Sequence, residues 1–91
     1  MTTKEYNNCV DRFSDGVFRF ILKNLRHRAD AEDVVQVAFE RLWKTHQTLS
    51  LESARSFLFT TAYRYMIDWI RKKERVRTLD QDPDQYMGGT T

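Results

Sequence analysis

One cysteine, one proline and three glycines are all that the 91 residues contain of the three types that most often staple or punctuate a fold. Cys9 has no second cysteine to pair with, so an intrachain disulfide is excluded, and a lone thiol at helical spacing among Tyr6, Val10 and Phe13 reads as a small core residue. With only Pro83, Gly16, Gly88 and Gly89 to interrupt it, the chain favours long helices, and no strand-like alternation is present. No apolar run approaches the ~18 residues that a membrane-spanning helix needs. The polar start "MTTKEYNNCV" carries no signal-peptide pattern, so a cytoplasmic location without membrane contact is expected.

Catalytic signatures are missing as well. There is no glycine-rich phosphate loop, no G-x-S-x-G turn, no pair of histidines on one helix face and no Cys/His cluster, so neither an enzyme nor a metal or cofactor is expected. His27 and His46 are far apart in or beside loops and read as solvated. Glu32 and Asp33 point about 100° apart on a helix, which suits helix-start electrostatics better than acid–base chemistry. A chain this short buries only a little over ~60% of the surface its unfolded form exposes, enough for one core and no separate cleft.

What is present is a segregated charge. The net charge is only +2, but the segment from Arg64 to Arg77 holds six bases against Asp68 and Glu74, while Asp30 to Glu40 holds four acids and no base. Asp80, Asp82 and Asp84 make the end acidic. Charge separated in this way points to two different partners on one domain.

Hydrophobic periodicity predicts an all-α domain of three or four helices over residues 1–78, followed by an acidic linker or disordered tail over 79–91. A first helix from about Lys4 to Arg26 places Tyr6, Val10, Phe13, Val17, Phe20 and Ile21 at three- and four-residue steps, and the "HRAD" connection turns the second helix antiparallel to it. The second helix has Asp30 as its expected N-cap. It buries a stripe of Ala31, Val34, Val35, Ala38 and Leu42 and turns Asp33, Gln36, Val37, Glu40 and Trp43 the other way. A long third helix from about Ala54 to Arg77, capped by Ser50 or Ser53, carries Leu58, Ala62, Tyr65 and Trp69 inward, with Thr61 and Met66 flanking.

The third helix is apolar almost all round and basic at its far end. Its outward side mixes Thr60, Tyr63, Arg64, Ile67 and Arg71, with Phe59 and Ile70 at the margin. Bases neutralise phosphates, and open aromatic faces stack unpaired bases for ~1–3 kcal/mol each, so this face suits a single nucleic-acid strand. Arg71, Arg75 and Arg77 are the phosphate candidates, whereas Lys72 and Lys73 point partly inward and can snorkel. The plainer alternative is that the aromatics are core and that "RKKER" is a solvated helix end.

The order of these features resembles a known family. "DAEDVVQVAFERLWK", a loop, and then "SFLFTTAYRYMIDWIRKKERV" resemble region 2 of the extracytoplasmic-function (ECF) sigma factors of bacterial RNA polymerase, over roughly Tyr6 to Arg77. The resemblance implies a compact helical transcription initiation domain whose acidic second helix docks on the clamp coiled coil of the polymerase β′ subunit. It also implies that the last helix and the loop before it hold the melted −10 element of the promoter non-template strand, with a base flipped out. Carried over by position, polymerase binding falls on Asp33, Gln36, Phe39, Glu40 and Trp43. DNA binding falls on the loop from His46 to Arg55 and on Phe59, Tyr63, Arg64, Asp68, Arg71, Arg75 and Arg77. Asp68 also suits an ion pair with Arg64 or Lys72 at four-residue spacing. An anti-sigma factor is a further partner that the resemblance implies.

Two positions depart from the family pattern. Val37 stands where a glutamate is common, which removes a charge from the docking face. Arg64 stands where asparagine is common, and a guanidinium favours guanine edges or phosphate where an amide reads a base edge bidentately. The resemblance implies a second domain that reads the −35 element, which this sequence does not supply; the chain is expected to be a fragment whose acidic end is the linker toward that domain, with a single-domain relative as the alternative. The alternatives to the resemblance are a helical protein-interaction adaptor and a general single-strand binder.

Overall fold

A computed structural model describes the backbone of residues 1–81 and the side chains of residues 1–75. It contains three helices, α1 (Thr3–Leu25), α2 (Arg28–Thr45) and α3 (Leu51–Gln81), each packed on the other two. The expected all-α architecture therefore resolves to three helices among the described residues.

α1 opens with a capping box that the sequence reading had not singled out. Glu5 N–H donates to Thr2 Oγ1 at 3.1 Å, and Thr2 N–H donates to the Glu5 carboxylate at 2.8 Å. Two of the N–H groups that every helix start leaves unpaired are thereby satisfied. α1 closes on Arg26 in the left-handed region, φ 62°, whose N–H donates to the Leu22 carbonyl at 2.8 Å.

Only Arg26 and His27 separate α1 from α2. The expected N-cap, Asp30, is corrected by this geometry. The left-handed Arg26 and the extended His27 complete the reversal in two residues, so α2 starts at Arg28 and Asp30 lies inside its first turn. His27 supplies no side-chain cap. α3 likewise starts earlier than expected, at Leu51, because Ser50 stands at the turn: its carbonyl accepts from Ser53 N–H at 3.1 Å and the two hydroxyls lie 3.0 Å apart. Its backbone continues to Gln81, past the expected boundary at 78; the remainder of the 79–91 tail and the Arg77 side chain lie outside the described residues.

Tyr6 of α1 meets the end of α2, so these two helices are antiparallel. Gly16 and Phe20 lie beside Phe59, and Phe20 lies beside Tyr63, so α1 and α3 run the same way. The core between the helices is Cys9, Val17, Ile21 and Leu25 from α1, Ala31, Val34, Ala38, Phe39 and Leu42 from α2, and Ala54, Leu58, Ala62 and Met66 from α3. Alanines at 31, 38, 54 and 62 let the backbones approach while the branched side chains fill the space between them. Among the described residues no buried side-chain nitrogen or oxygen lacks a partner, and no helix is long and apolar enough to cross a membrane.

Candidate functional site

Two surfaces are left over once the core is formed. On α2, Asp33, Gln36, Glu40 and Trp43 follow one another within an arc of about 80° at 100° per residue. All four are exposed, Trp43 at 44%. Trp43 is held firmly for so open a side chain. His46 stacks on it with ring centroids 4.2 Å apart and 12° between planes, and Tyr6 meets its edge at 5.0 Å. Tyr6 in turn donates its hydroxyl to the Phe39 carbonyl at 3.0 Å. Burial, with the nearby Cys9 and Glu40 as lesser causes, pushes the Tyr6 phenol above its ordinary range.

Three expectations are corrected around this face. Phe39 is only 8% exposed and belongs to the core, so it supports the α2 face from beneath and offers little surface to a partner. His46, expected to be solvated and to contact DNA, is also 8% exposed, with Nδ1 against the Trp43 carbonyl. Its ring closes the end of α2 and pins the start of the 46–50 connection. Val35, expected in the core, is half-buried and lines a groove of about 390 Å³ between α1 and α2 with Phe18, Arg28, Glu32 and Gln36.

On α3 the expected outward face divides in two. Phe59 and Tyr63 lean toward α1, where Phe20 lies 5.6 Å from the first ring and 6.3 Å from the second. The Arg55 guanidinium covers Phe59 at 5.1 Å, so that ring is occupied by Phe20 and Arg55, whereas Tyr63 stays 47% exposed. Arg64 points the other way, into a groove of about 480 Å³ that it shares with Leu49, Glu52, Ser53, Ser56, Phe57, Thr60 and Thr61. Sequence reading missed this hydroxyl-lined groove, although Ser53, Ser56, Thr60 and Arg64 repeat at helical spacing. Phe20 was read only as core, yet it sets the position of both aromatic rings on α3.

Asp68, Arg71 and Arg75 are exposed. The ion pair expected of Asp68 is not formed: among the described residues the salt bridges are Arg19–Asp15 at 3.0 Å and Arg28–Glu32 at 3.4 Å. Tyr65 and Trp69 are half-buried, and each ring carries a cation, Arg41 at 5.4 Å and Lys73 at 4.8 Å respectively. No group of three metal-ligating side chains exists among the described residues. The site can bind by charge, stacking and hydrogen bonds.

Comparison with known proteins adds to this geometry. Residues 9–76 match the family model described as Sigma-70 region 2. RNA polymerase sigma factor SigV of Bacillus subtilis (strain 168) is 21% identical over 80 residues, which cover 87% of this chain and 48% of that protein. The chain thus spans about half the length of this curated relative. No solved structure matches.

Proposed function

Because the chain belongs to the sigma-70 region 2 family, we propose that it is the module of a transcription initiation factor that docks on RNA polymerase core and captures unpaired bases of the promoter −10 element. The observation that carries this reading is a pair of half-exposed aromatics on two different helices, Trp43 on the acidic α2 and Tyr63 on the basic α3. Two surfaces of opposite charge on one core suit two partners that must be held at once.

On α2, Asp33, Gln36, Glu40 and Trp43 bind the clamp coiled coil of the β′ subunit. Trp43 arrives already ordered by Tyr6 and His46, which lowers the entropy lost on docking. On α3, Tyr63 offers the open face for a base, and Phe59 sets the floor beside it. Arg64 and the hydroxyls of its groove receive a base edge or a phosphate, and Arg71 and Arg75 follow the backbone. Stacking at ~1–3 kcal/mol per base helps offset the cost of opening the duplex. The polymerase performs the chemistry, and this chain contributes binding alone. An anti-sigma factor that covers either aromatic face would silence it.

Capture by polymerase core tests the docking half. Gln36→Ala combined with Trp43→Ala is expected to weaken capture by about tenfold or more, the range of a truncated aromatic anchor, while circular dichroism shows the helices intact. Undiminished capture would remove α2 from the interface.

A further inference from the structure

Along the groove beside the α2–α3 connection, Glu52, Ser56, Thr60 and Arg64 succeed one another at four-residue steps on α3. Positions four apart are neighbours on a helix surface. The row therefore runs from an acceptor-only carboxylate, past two hydroxyls that can donate or accept, to a donor-only guanidinium. All four residues are exposed, and among the described residues neither Glu52 nor Arg64 makes an ion pair. Twelve residues set their backbones ~18 Å apart along the axis, which keeps the two charges from closing on each other. Half-buried Leu49 and Phe57 add apolar wall, and the volume of about 480 Å³ is that of a small-molecule site.

A ligand matched to this row carries acceptors at one end and donors at the other. Phosphate has acceptors alone and would be repelled by Glu52. Among the bases, guanine presents O6 and N7 on its major-groove edge, which a guanidinium fork takes together. On its pairing edge it presents N1–H and N2–H, which the two oxygens of a carboxylate can accept. The other bases match less well. Adenine turns its amino donor toward the fork beside N7, cytosine has one donor group for the carboxylate, and the single N–H of thymine stands between two carbonyls.

We propose that this groove selects guanine: one unpaired guanine of the captured strand enters it, with O6 and N7 on the Arg64 guanidinium and N1–H and N2–H on the Glu52 carboxylate. The inference rests on the base-capture reading above and adds to it the identity of one base and a second reader, Glu52. Tyr63 points away from the groove and stacks a neighbouring base of any kind.

The test uses polymerase core with this chain and single-stranded oligo-dT in which one dG, dA or dC is walked through each position, followed by fluorescence anisotropy. At one position dG should bind about tenfold tighter than the other bases, the range of one bidentate base contact. There 7-deazaguanine, which lacks N7, and hypoxanthine, which lacks the N2 amino group, should each bind about threefold or more weaker than guanine. Arg64→Ala should erase the difference between guanine and 7-deazaguanine, and Glu52→Ala the difference between guanine and hypoxanthine, with circular dichroism unchanged. Arg64→Lys keeps the charge without the fork, so it should also erase the 7-deazaguanine difference while binding to plain oligo-dT holds. Absence of any position that prefers dG would overturn the proposal, as would a preference that survives both alanine substitutions. An equal loss on every oligonucleotide in Arg64→Ala, restored by Arg64→Lys, would make Arg64 a phosphate contact and overturn it too. If Tyr63→Ala weakens every oligonucleotide and no base is preferred, base capture stands and guanine selection falls. If the wild-type chain adds nothing to binding, both fall together.

Discussion

Gly16→Ala tests the contact on which the aromatic face of α3 rests. Gly16 lies in the interior of α1, on an exposed part of the helix that passes Phe59. A methyl group placed there would stand 3.7 Å from Cζ of Phe59, an ordinary van der Waals distance. The substitution therefore removes a glycine from a helix interior, a gain of ~1 kcal/mol, and adds contacts of only ~0.1–0.2 kcal/mol each. Net stabilisation of about 1 kcal/mol raises the melting temperature of a domain this size by about 4–8 °C. Thermal and urea denaturation followed by circular dichroism give the value directly, and the single-strand affinity in the presence of polymerase core should stay as it was. A fall in melting temperature would mean that α1 and α3 approach more closely than described. The positions assigned to Phe20, Phe59 and Tyr63 would then be wrong.

Other consequences follow from the same packing. Leu58→Ala removes a fully buried side chain at the centre of α3 and should cost ~2–5 kcal/mol, enough to leave the domain largely unfolded in a denaturant titration; a cost under 1 kcal/mol would place Leu58 outside the core. Tyr6→Phe deletes the hydrogen bond to the Phe39 carbonyl and should cost about 0.5–1.5 kcal/mol, with a change in Trp43 fluorescence because the two rings touch; no change in either would dissolve the aromatic cluster. Burial pushes the Cys9 thiol above its ordinary 9.0, opposed by the Arg12 charge. Because the unfolded chain then loses its proton first, the Cys9 contribution to stability should be level below about pH 9 and decline above it. A Cys9→Ala chain should lack that part of the decline, and identical pH profiles for the two would contradict the assignment.

Much of this architecture could be read from residue order, and the exceptions share a physical cause. Helical period alone placed Val17, Ile21, Val34, Ala38, Leu42, Leu58 and Ala62 inside, because each lies near the middle of its stripe and neighbouring helices cover it. Residues at the stripe margins depend on how close the neighbour lies, which a projection about one axis does not contain. Phe39 and Val35 lie on the same margin of the α2 stripe, one turn apart; Phe39 is covered by the neighbouring helices, and Val35 is left beside a groove. His46 was misread for a related reason: its burial comes from stacking on Trp43, a contact set by the path of a five-residue connection. The division of the α3 face followed from α1, since Phe20 draws Phe59 and Tyr63 to one side and leaves Arg64 on the other.

The central claim is that one small helical core holds polymerase on α2 while unpaired promoter bases sit on α3. Fluorescence anisotropy of a single-stranded non-template −10 oligonucleotide tests it most directly, with polymerase core, with this chain, with both, and with both when the chain carries Tyr63→Ala. The account predicts tight binding only when core and wild-type chain are mixed, and a loss of about 1–3 kcal/mol on substituting Tyr63. Equal binding by the Tyr63→Ala mixture, or binding by the chain alone as strong as with core, would contradict it.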